Sequence, residues 1–301
     1  MDFRWGWYCS RSNGSLDLRI IERPLDKAMF GEFRDLTRVV ETLRPYLIDF
    51  LALRADDSAV ASVEREVAEG MNGLMVEGMP SIPRTVAVQT RAQRAVSNYL
   101  GAASAFRERA TRRMCRDFGK GSAEYLAFKA RLSHHYDASF SYRLLYALRN
   151  HSQHQENPLS LVATTAMRDE DKVMRASVRL ELHVEQLSGN PAIKAAVRKE
   201  LLGIADPVIH LTPWIAEHTH QLADVFALLI ELHREAITKM AQYGAALYRE
   251  MQVPHDCQPV IFEGPKPVDG PQGQRRMIMS GFDELNRLLE IRAEIRGSPA
   301  W

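Results

Sequence analysis

Residues 122–158 decide the fold, and they have the sequence SAEYLAFKARLSHHYDASFSYRLLYALRNHSQHQENP. Apolar and aromatic side chains recur through this stretch at steps of three and four residues, which is the spacing of one face of an α-helix. That face consists of Tyr125, Phe128, Leu132, Tyr136, Phe140, Leu144 and Leu148. Because proline cannot continue a helix, Asn157-Pro158 closes the stretch. The pattern predicts a helix from Ser122 to about His154.

The preceding segment predicts a second long helix, from about Val86 to Asp117, and Gly119 favours its end. Its predicted buried face consists of Ala92, Val96, Tyr99, Ala103, Phe106, Ala110 and Met114. After Pro158 an apolar run and an alternating segment, separated by polar residues, predict a β-hairpin at about 159–184.

Towards the ends of the chain the patterns are weaker. Residues 16–21 are a strand candidate, and residues 26–70 have helical spacing with a break expected near Asp56. A short helix over 190–202 and a long helix over 212–248 are expected after the hairpin.

The glycines and prolines of residues 71–85 predict a loop and a domain boundary. We therefore expect an N-terminal helical region over 1–85 and a helical bundle carrying the hairpin over 86–248. Residues 249–301 are expected to form a Pro/Gly-rich arm, with a linker or extended segment at 253–275, and a terminal amphipathic helix. The fold class predicted is mainly α with a small β-hairpin inserted.

Bulk properties exclude several classes of protein. The chain has 301 residues, of which 46% are hydrophobic, and a formal net charge of +1. Balanced charge argues against a general nucleic-acid coat and against a polybasic membrane binder. Three scattered cysteines indicate neither a disulfide framework nor a pair of metal ligands. With no apolar run of about 20 residues and no signal-peptide pattern, we expect a cytoplasmic protein without a membrane partner.

One string, RNHSQH at residues 149–154, is chemically distinctive. On a helix that turns about 100° per residue, Gln153 lies roughly 40° from Arg149, and His154 lies roughly 140° from it. Residues one and two turns earlier fall in the same arc, beside the core stripe. The shared polar and aromatic face consists of Tyr142, Tyr146, Arg149, Asn150, Gln153 and His154. Such a face is either solvated or presented to a ligand or partner.

This face offers phosphate chemistry. Arg149 can hold a phosphate through two hydrogen bonds and stays charged, while His154 titrates near neutrality and can move a proton. Asn150 can orient a phosphate oxygen or the histidine, and the candidate substrate-binding residues are Tyr142, Tyr146 and Gln153. The chemistry requires no metal. A solvated helix end with packing histidines stays open as an alternative, because Arg and His occur at this spacing by chance.

The ordered set of segments resembles the HEPN superfamily (higher eukaryote and prokaryote nucleotide-binding domains). RNHSQH matches the R-x4-H pattern of that family, including a polar residue after the arginine. Residues 94–100, RAVSNYL, and residues 142–150, YRLLYALRN, are similar to the first core helix and the approach to the motif in a bacterial HEPN-like branch. The hairpin followed by a long helix fits as well, so the resemblance covers about residues 86–248.

The resemblance implies a HEPN-like helical bundle that forms a homodimer, with the two motifs meeting at a cleft. Many HEPN proteins are metal-independent endoribonucleases, some of them toxic or defensive. Carried over, Arg149 would stabilise the phosphate, His154 would be the acid and base, and Asn150 would support them. Other members are non-catalytic modules that bind a nucleotide, RNA or a protein, and this alternative stays open. The partners implied are RNA or a nucleotide and an antitoxin or regulatory protein; no cofactor or metal is expected.

Three further features have two interpretations each. A cluster of arginines could hold an RNA backbone or form a solvated face balanced by acids; it consists of Arg107, Arg109, Arg112, Arg113 and Arg116. His134-His135 lie where the helix could kink; they could reach a substrate, but a structural role is favoured. Glu217 and His220 have the Glu-x-x-His spacing of helical di-metal sites, yet no second copy accompanies them, so no metal site is predicted.

Overall fold

The computed structural model describes residues 2–77, 82–154, 161–168, 174–190, 193–264 and 276–297. Within these ranges the helices are α1 Lys27–Glu77, α2 Ile82–Phe118, α3 Ala123–Ala138, α4 Phe140–His154, α5 Val184–Ser188, α6 Ala195–Leu202, α7 Leu211–Leu232, α8 Arg234–Glu250 and α9 Phe282–Arg296. The strands are β1 Asp2–Ser10, β2 Leu16–Pro24, β3 Leu161–Arg168, β4 Met174–His183, β5 Val208–His210, β6 Gln258–Gly264 and β7 Arg276–Met279. The predicted mainly α fold class with a small β insertion is confirmed. No helix in the described ranges is long and apolar enough to cross a membrane.

The chain divides into two compact units. One comprises Met1–Leu47 with Ala227–Trp301, and the other comprises Ile48–Phe226. These limits differ from the boundaries near residues 85 and 248 expected from the sequence, because α1 and α7 each contribute residues to both units.

The unit formed by the two ends of the chain contains an antiparallel sheet with strand order β2-β1-β6-β7. β1 pairs with β6, which places Trp5 opposite Ile261. A Cβ on Gly6 would overlap the carbonyl of Arg19 and the ring of Phe262, so glycine permits the close approach of these groups. Of the linker and the extended segment expected as alternatives at 253–275, the extended one is observed for residues 258–264, because β1, from the other end of the chain, supplies the hydrogen bonds that make them a strand.

A disulfide joins Cys9 at the end of β1 to Cys257 just before β6. Both cysteines are buried with Val253, and Trp7 and Tyr248 pack against them. The sequence indicated no disulfide framework, and the pairing of β1 with β6 is what brings these two distant cysteines together.

The other unit contains the helices that carry the candidate site. All seven side chains predicted for the buried face of α2 are buried. Phe106 from that face lies beside Phe50 and Phe226, whose stacked rings have centroids 4.2 Å apart. Buried Asp49 accepts hydrogen bonds from Arg109 (2.8 Å) and Arg113 (2.5 Å), which fixes α1 to α2.

The single helix predicted over residues 122–154 is two helices, α3 and α4, which are separated at Ser139. The backbone of Ser139 is extended (φ −119°, ψ 125°), and its hydroxyl accepts a hydrogen bond from the backbone N–H of Tyr142. Ser139 therefore caps α4, a role for which serine is well suited. The long helix predicted over 212–248 is likewise divided at His233.

α1 runs unbroken through Asp56, so the break expected there is wrong. The predicted hairpin is confirmed as β3 paired antiparallel with β4, and β5 adds a third strand next to β4.

Candidate functional site

The candidate site lies between α2 and α4. Tyr142, Tyr146 and Arg149 follow one another on α4 at steps of four and three residues, so they share one side of that helix. They line one small cavity together with Arg107 of α2 and His218 of α7. Three of the residues predicted from the sequence are therefore brought together.

Arg107 and Tyr146 form the closest contact in this cavity between a cation and an aromatic ring. The guanidinium carbon of Arg107 lies 4.0 Å from the centroid of the Tyr146 ring. A hydrogen bond from Arg107 lowers the pKa of the Tyr146 phenol, although partial burial acts to raise it. The charges of Arg107 and Lys194 and a hydrogen bond with Asn150 lower this pKa further. The phenolate form of Tyr146 is therefore stabilised.

Tyr142 occupies the floor of the cavity. Its side chain is only 1% exposed, although the sequence placed it on the polar face of α4. The ring of His218 meets it edge-on at 4.7 Å, and its hydroxyl makes no hydrogen bond of normal geometry within the described residues. Burial raises the pKa of Tyr142, while the nearby guanidinium of Arg107 partly offsets this.

His218 is a buried neutral histidine. Its Nδ1 lies 2.8 Å from the hydroxyl oxygen of Tyr99, and that oxygen also accepts a hydrogen bond from Thr219. Burial, Arg107 and His135 lower the pKa of His218 to about 3, so it carries no charge near neutral pH.

Arg149 is half-buried, and two groups lie near its guanidinium. It donates to the side-chain oxygen of Asn150 over 3.4 Å and lies 3.6 Å from the carboxylate of Glu108. Glu108 also accepts a hydrogen bond from Ser104 at 2.8 Å. Arg149 is thus held near the cavity by an amide and a carboxylate.

The remaining predicted residues lie at the end of the same helix. Gln153 and His154 are on the last turn of α4, and their side chains lie outside the described residues. The described residues therefore bring together Tyr142, Tyr146, Arg149 and Asn150.

An open groove of about 620 Å³ adjoins this cavity and shares Arg107, Tyr142 and Tyr146 with it. Its other lining residues include Arg112 of α2, Lys129 and Tyr136 of α3, and Lys194. The sequence predicted Arg112 within a cluster that could hold RNA, but it did not predict Lys129, Tyr136 or Lys194 as site residues. Lys129 and Tyr136 are seven residues apart, about two helical turns, so helical geometry would have placed them on one face of α3.

The described residues hold one group that could bind a metal ion by proximity, namely Cys9, Asp256 and Cys257. The two cysteines are joined in a disulfide and so offer no thiolate ligands. Glu217, considered above for a metal, instead accepts hydrogen bonds from Ser139 and Gln221. Of the two histidines singled out on α3, His135 contacts Asp224 at 2.8 Å, whereas His134 is exposed.

Two guanidinium groups, a phenol and a buried hydroxyl thus converge on one cavity, and this donor set suits the oxygen atoms of a phosphate. No protein-family model, curated protein or solved structure matches the chain.

Proposed function

We propose that the chain is a HEPN-like, metal-independent endoribonuclease in which Arg149 and His154 cleave RNA phosphodiester bonds. The R-x4-H spacing supports this proposal. The observation that carries it is the clustering of Arg149 with Arg107 and Tyr146 around one cavity.

In the proposed reaction His154 takes the proton of a ribose 2′-hydroxyl. The 2′-oxygen then attacks the adjacent phosphorus, while Arg149 stabilises the negative charge on the non-bridging oxygens. The bond from phosphorus to the 5′-oxygen breaks, and protonated His154 returns the proton to the leaving oxygen. The products are a 2′,3′-cyclic phosphate and a 5′-hydroxyl. Asn150 orients Arg149, from which it accepts a hydrogen bond.

The proposal includes the partners that the resemblance implies. A second copy of the chain would bring its own motif to a shared cleft, and an antitoxin or regulatory protein would restrain the activity. The proposal also includes a cytoplasmic location. The Cys9–Cys257 disulfide is unusual for that location, because disulfides are rare in the reducing cytoplasm.

A second candidate function is a non-catalytic module that binds a nucleotide or RNA. One contact favours it over cleavage: the Glu108 carboxylate, 3.6 Å from the Arg149 guanidinium, would compete with a scissile phosphate for that arginine, whereas Arg112 and Lys129 of the adjoining groove have no carboxylate at ion-pair distance among the described residues.

The two functions differ in a cleavage assay. Purified protein is incubated with single-stranded RNA in the presence of EDTA, and the ends of the products are identified by mass spectrometry. The proposal predicts 2′,3′-cyclic phosphate ends with the wild type and none with Arg149→Ala. Arg94→Ala removes an exposed charge from α2 and serves as the control that retains activity. RNA binding without cleavage by the wild type would establish the second function instead.

A further inference from the structure

The groove beside the candidate site has an unbalanced charge. Its lining includes four cations and two carboxylates; these are Arg107, Arg112, Lys129, Lys194, Glu108 and Asp137. One of the two carboxylates, Glu108, is already engaged by Ser104 and Arg149. The groove therefore carries an excess of positive charge in a chain whose net charge is only +1.

The structure separates the arginine cluster of α2 into two groups. Arg109 and Arg113 bind the buried carboxylate of Asp49, and Arg116 binds Asp117. By contrast, Arg107 and Arg112 line the groove, and within the described residues neither forms an ion pair with a carboxylate. Arg109 and Arg113 therefore have a structural role and Arg107 contacts Tyr146, which leaves Arg112 for a ligand.

Lys129 of α3 and Lys194 extend this second group. Both are exposed, and within the described part of the chain neither has a carboxylate at ion-pair distance. Lys194 is close enough to Tyr146 to lower the pKa of its phenol, so its charge acts on the groove interior. Cations from α2 and α3, together with Lys194, thus line the groove, and each can donate hydrogen bonds to a phosphate group.

The groove also contains aromatic rings. Tyr136 and Tyr146 line the groove with their rings edge-to-face, 6.2 Å between centroids. Tyr142 also lines the groove; its side chain is 1% exposed, and the guanidinium of Arg107 interacts with its hydroxyl. Aromatic rings beside a basic groove are the combination that binds unpaired nucleotides.

We propose that this groove binds one unpaired nucleotide, with its phosphate held by Arg112, Lys129 and Lys194 and its base against the ring of Tyr136. The proposal rests on the proposed function for its substrate class and adds that the RNA is single-stranded. In an RNA duplex the bases are stacked and paired, and so cannot enter such a groove.

Binding is measured by fluorescence anisotropy with a labelled adenosine oligonucleotide, its duplex with a uridine oligonucleotide, and AMP as competitor. All proteins carry His154→Ala, so that cleavage does not interfere. The single strand is expected to bind more tightly than the duplex. If AMP competes at concentrations near the dissociation constant of the oligonucleotide, the groove binds free nucleotides. If AMP competes only at much higher concentrations, the groove binds a nucleotide within a strand. Either result supports the site.

Arg112→Ala combined with Lys129→Ala is expected to weaken binding about tenfold, because two exposed phosphate contacts are lost. It should also lower the slope of log affinity against log salt by up to about 0.7, since each neutralised phosphate on a single strand contributes about 0.7. Lys27→Ala combined with Arg94→Ala removes the same charge from exposed positions outside the groove lining and should bind as the parent does.

Tyr136→Leu tests the base contact and is expected to weaken binding about tenfold, whereas Tyr136→Phe keeps the ring and the affinity. Unchanged affinity in the Arg112/Lys129 variant, or equal binding of the duplex, overturns the proposal. These binding outcomes do not depend on cleavage, because they are measured with His154→Ala proteins. If the wild type binds RNA but does not cleave it, the proposed function is contradicted and the groove proposal is not.

Discussion

The guanidinium of Arg107 lies 4.0 Å from the centre of the Tyr146 ring, and this contact joins α2 to α4 at the candidate site. Such a contact between a cation and an aromatic face stabilises both side chains in place. It also links the arginine cluster of α2 to the helix that carries the R-x4-H motif, since Tyr146 lies one turn before Arg149.

Arg107→Gln is predicted to raise the pKa of Tyr146. Arg107 provides the largest contribution that lowers this pKa, so its loss removes the stabilisation of the phenolate. The pKa is measured by ultraviolet titration, as the difference between each protein and the same protein carrying Tyr146→Phe. Arg112→Gln is the control and should leave the Tyr146 pKa unchanged. An unchanged pKa in Arg107→Gln would contradict this account of the contact.

Asp49→Asn is predicted to lower the free energy of unfolding by about 1–3 kcal/mol, because it weakens two charged hydrogen bonds at a buried position. Arg109 is half exposed, so we do not expect the larger loss typical of a fully buried ion pair. Denaturant unfolding checks the value. Asp35→Asn, in an exposed pair with Arg38, should cost less than about 1 kcal/mol. Equal effects of the two substitutions would be evidence against a structural role for Asp49.

His218 predicts a specific loss of stability in acid. The unfolded chain takes up a proton at His218 below about pH 6.5, whereas the folded protein does so only near pH 3. The contribution of neutral His218 to the free energy of unfolding is thus fully present above about pH 6.5. It declines as the pH falls towards 3, by at most about 1.4 kcal/mol per pH unit.

His218→Asn removes this proton uptake, so its stability should decline less steeply than that of the wild type across the same pH window. Urea unfolding at intervals through the window measures both slopes. His134→Asn, at an exposed histidine, is the matched control and should keep the wild-type slope. A wild-type slope in His218→Asn would show that His218 is not the buried neutral group described here.

Reduction of the Cys9–Cys257 disulfide is predicted to destabilise the unit formed by the two ends of the chain. Removing a native disulfide costs about 2–4 kcal/mol in many proteins, and this one joins residues 248 positions apart. Dithiothreitol should therefore lower the melting temperature of the oxidised protein. The Cys9→Ser/Cys257→Ser variant should melt at the lower temperature with or without the reductant. Because this variant keeps the free thiol of Cys115, it also controls for effects of the reductant that do not involve the disulfide. A melting temperature that reductant does not change would contradict the prediction.

The helices of the candidate site could be predicted because their signal is local. The apolar positions of α2, from Ala92 to Met114, recur with helical spacing and are all buried. For the division of α3 from α4 the sequence indicated only a helix kink near His134-His135, since Ser139 interrupts the backbone without interrupting the apolar spacing. β1 and β6 escaped it because each depends on a partner about 250 residues away, as the pairing of Trp5 with Ile261 illustrates.

The same distinction applies to the site. The grouping of Tyr146 with Arg149 follows from helix geometry, and both line one cavity. The contact of Arg107 with Tyr146 depends on how α2 packs against α4, and the role of Asp49 in binding Arg109 and Arg113 depends on α1. Spacing along one helix cannot separate arginines that face a carboxylate from arginines that face a groove.

The most direct test of the proposed function is the rate of RNA cleavage by the wild type and by His154→Ala, with EDTA present and enzyme in excess over RNA. The account predicts cleavage by the wild type and a loss of at least about 100-fold in the variant, the usual contribution of a general acid or base. Circular dichroism confirms that the variant is folded. Cleavage at the wild-type rate by folded His154→Ala, or no cleavage by the wild type, would contradict it.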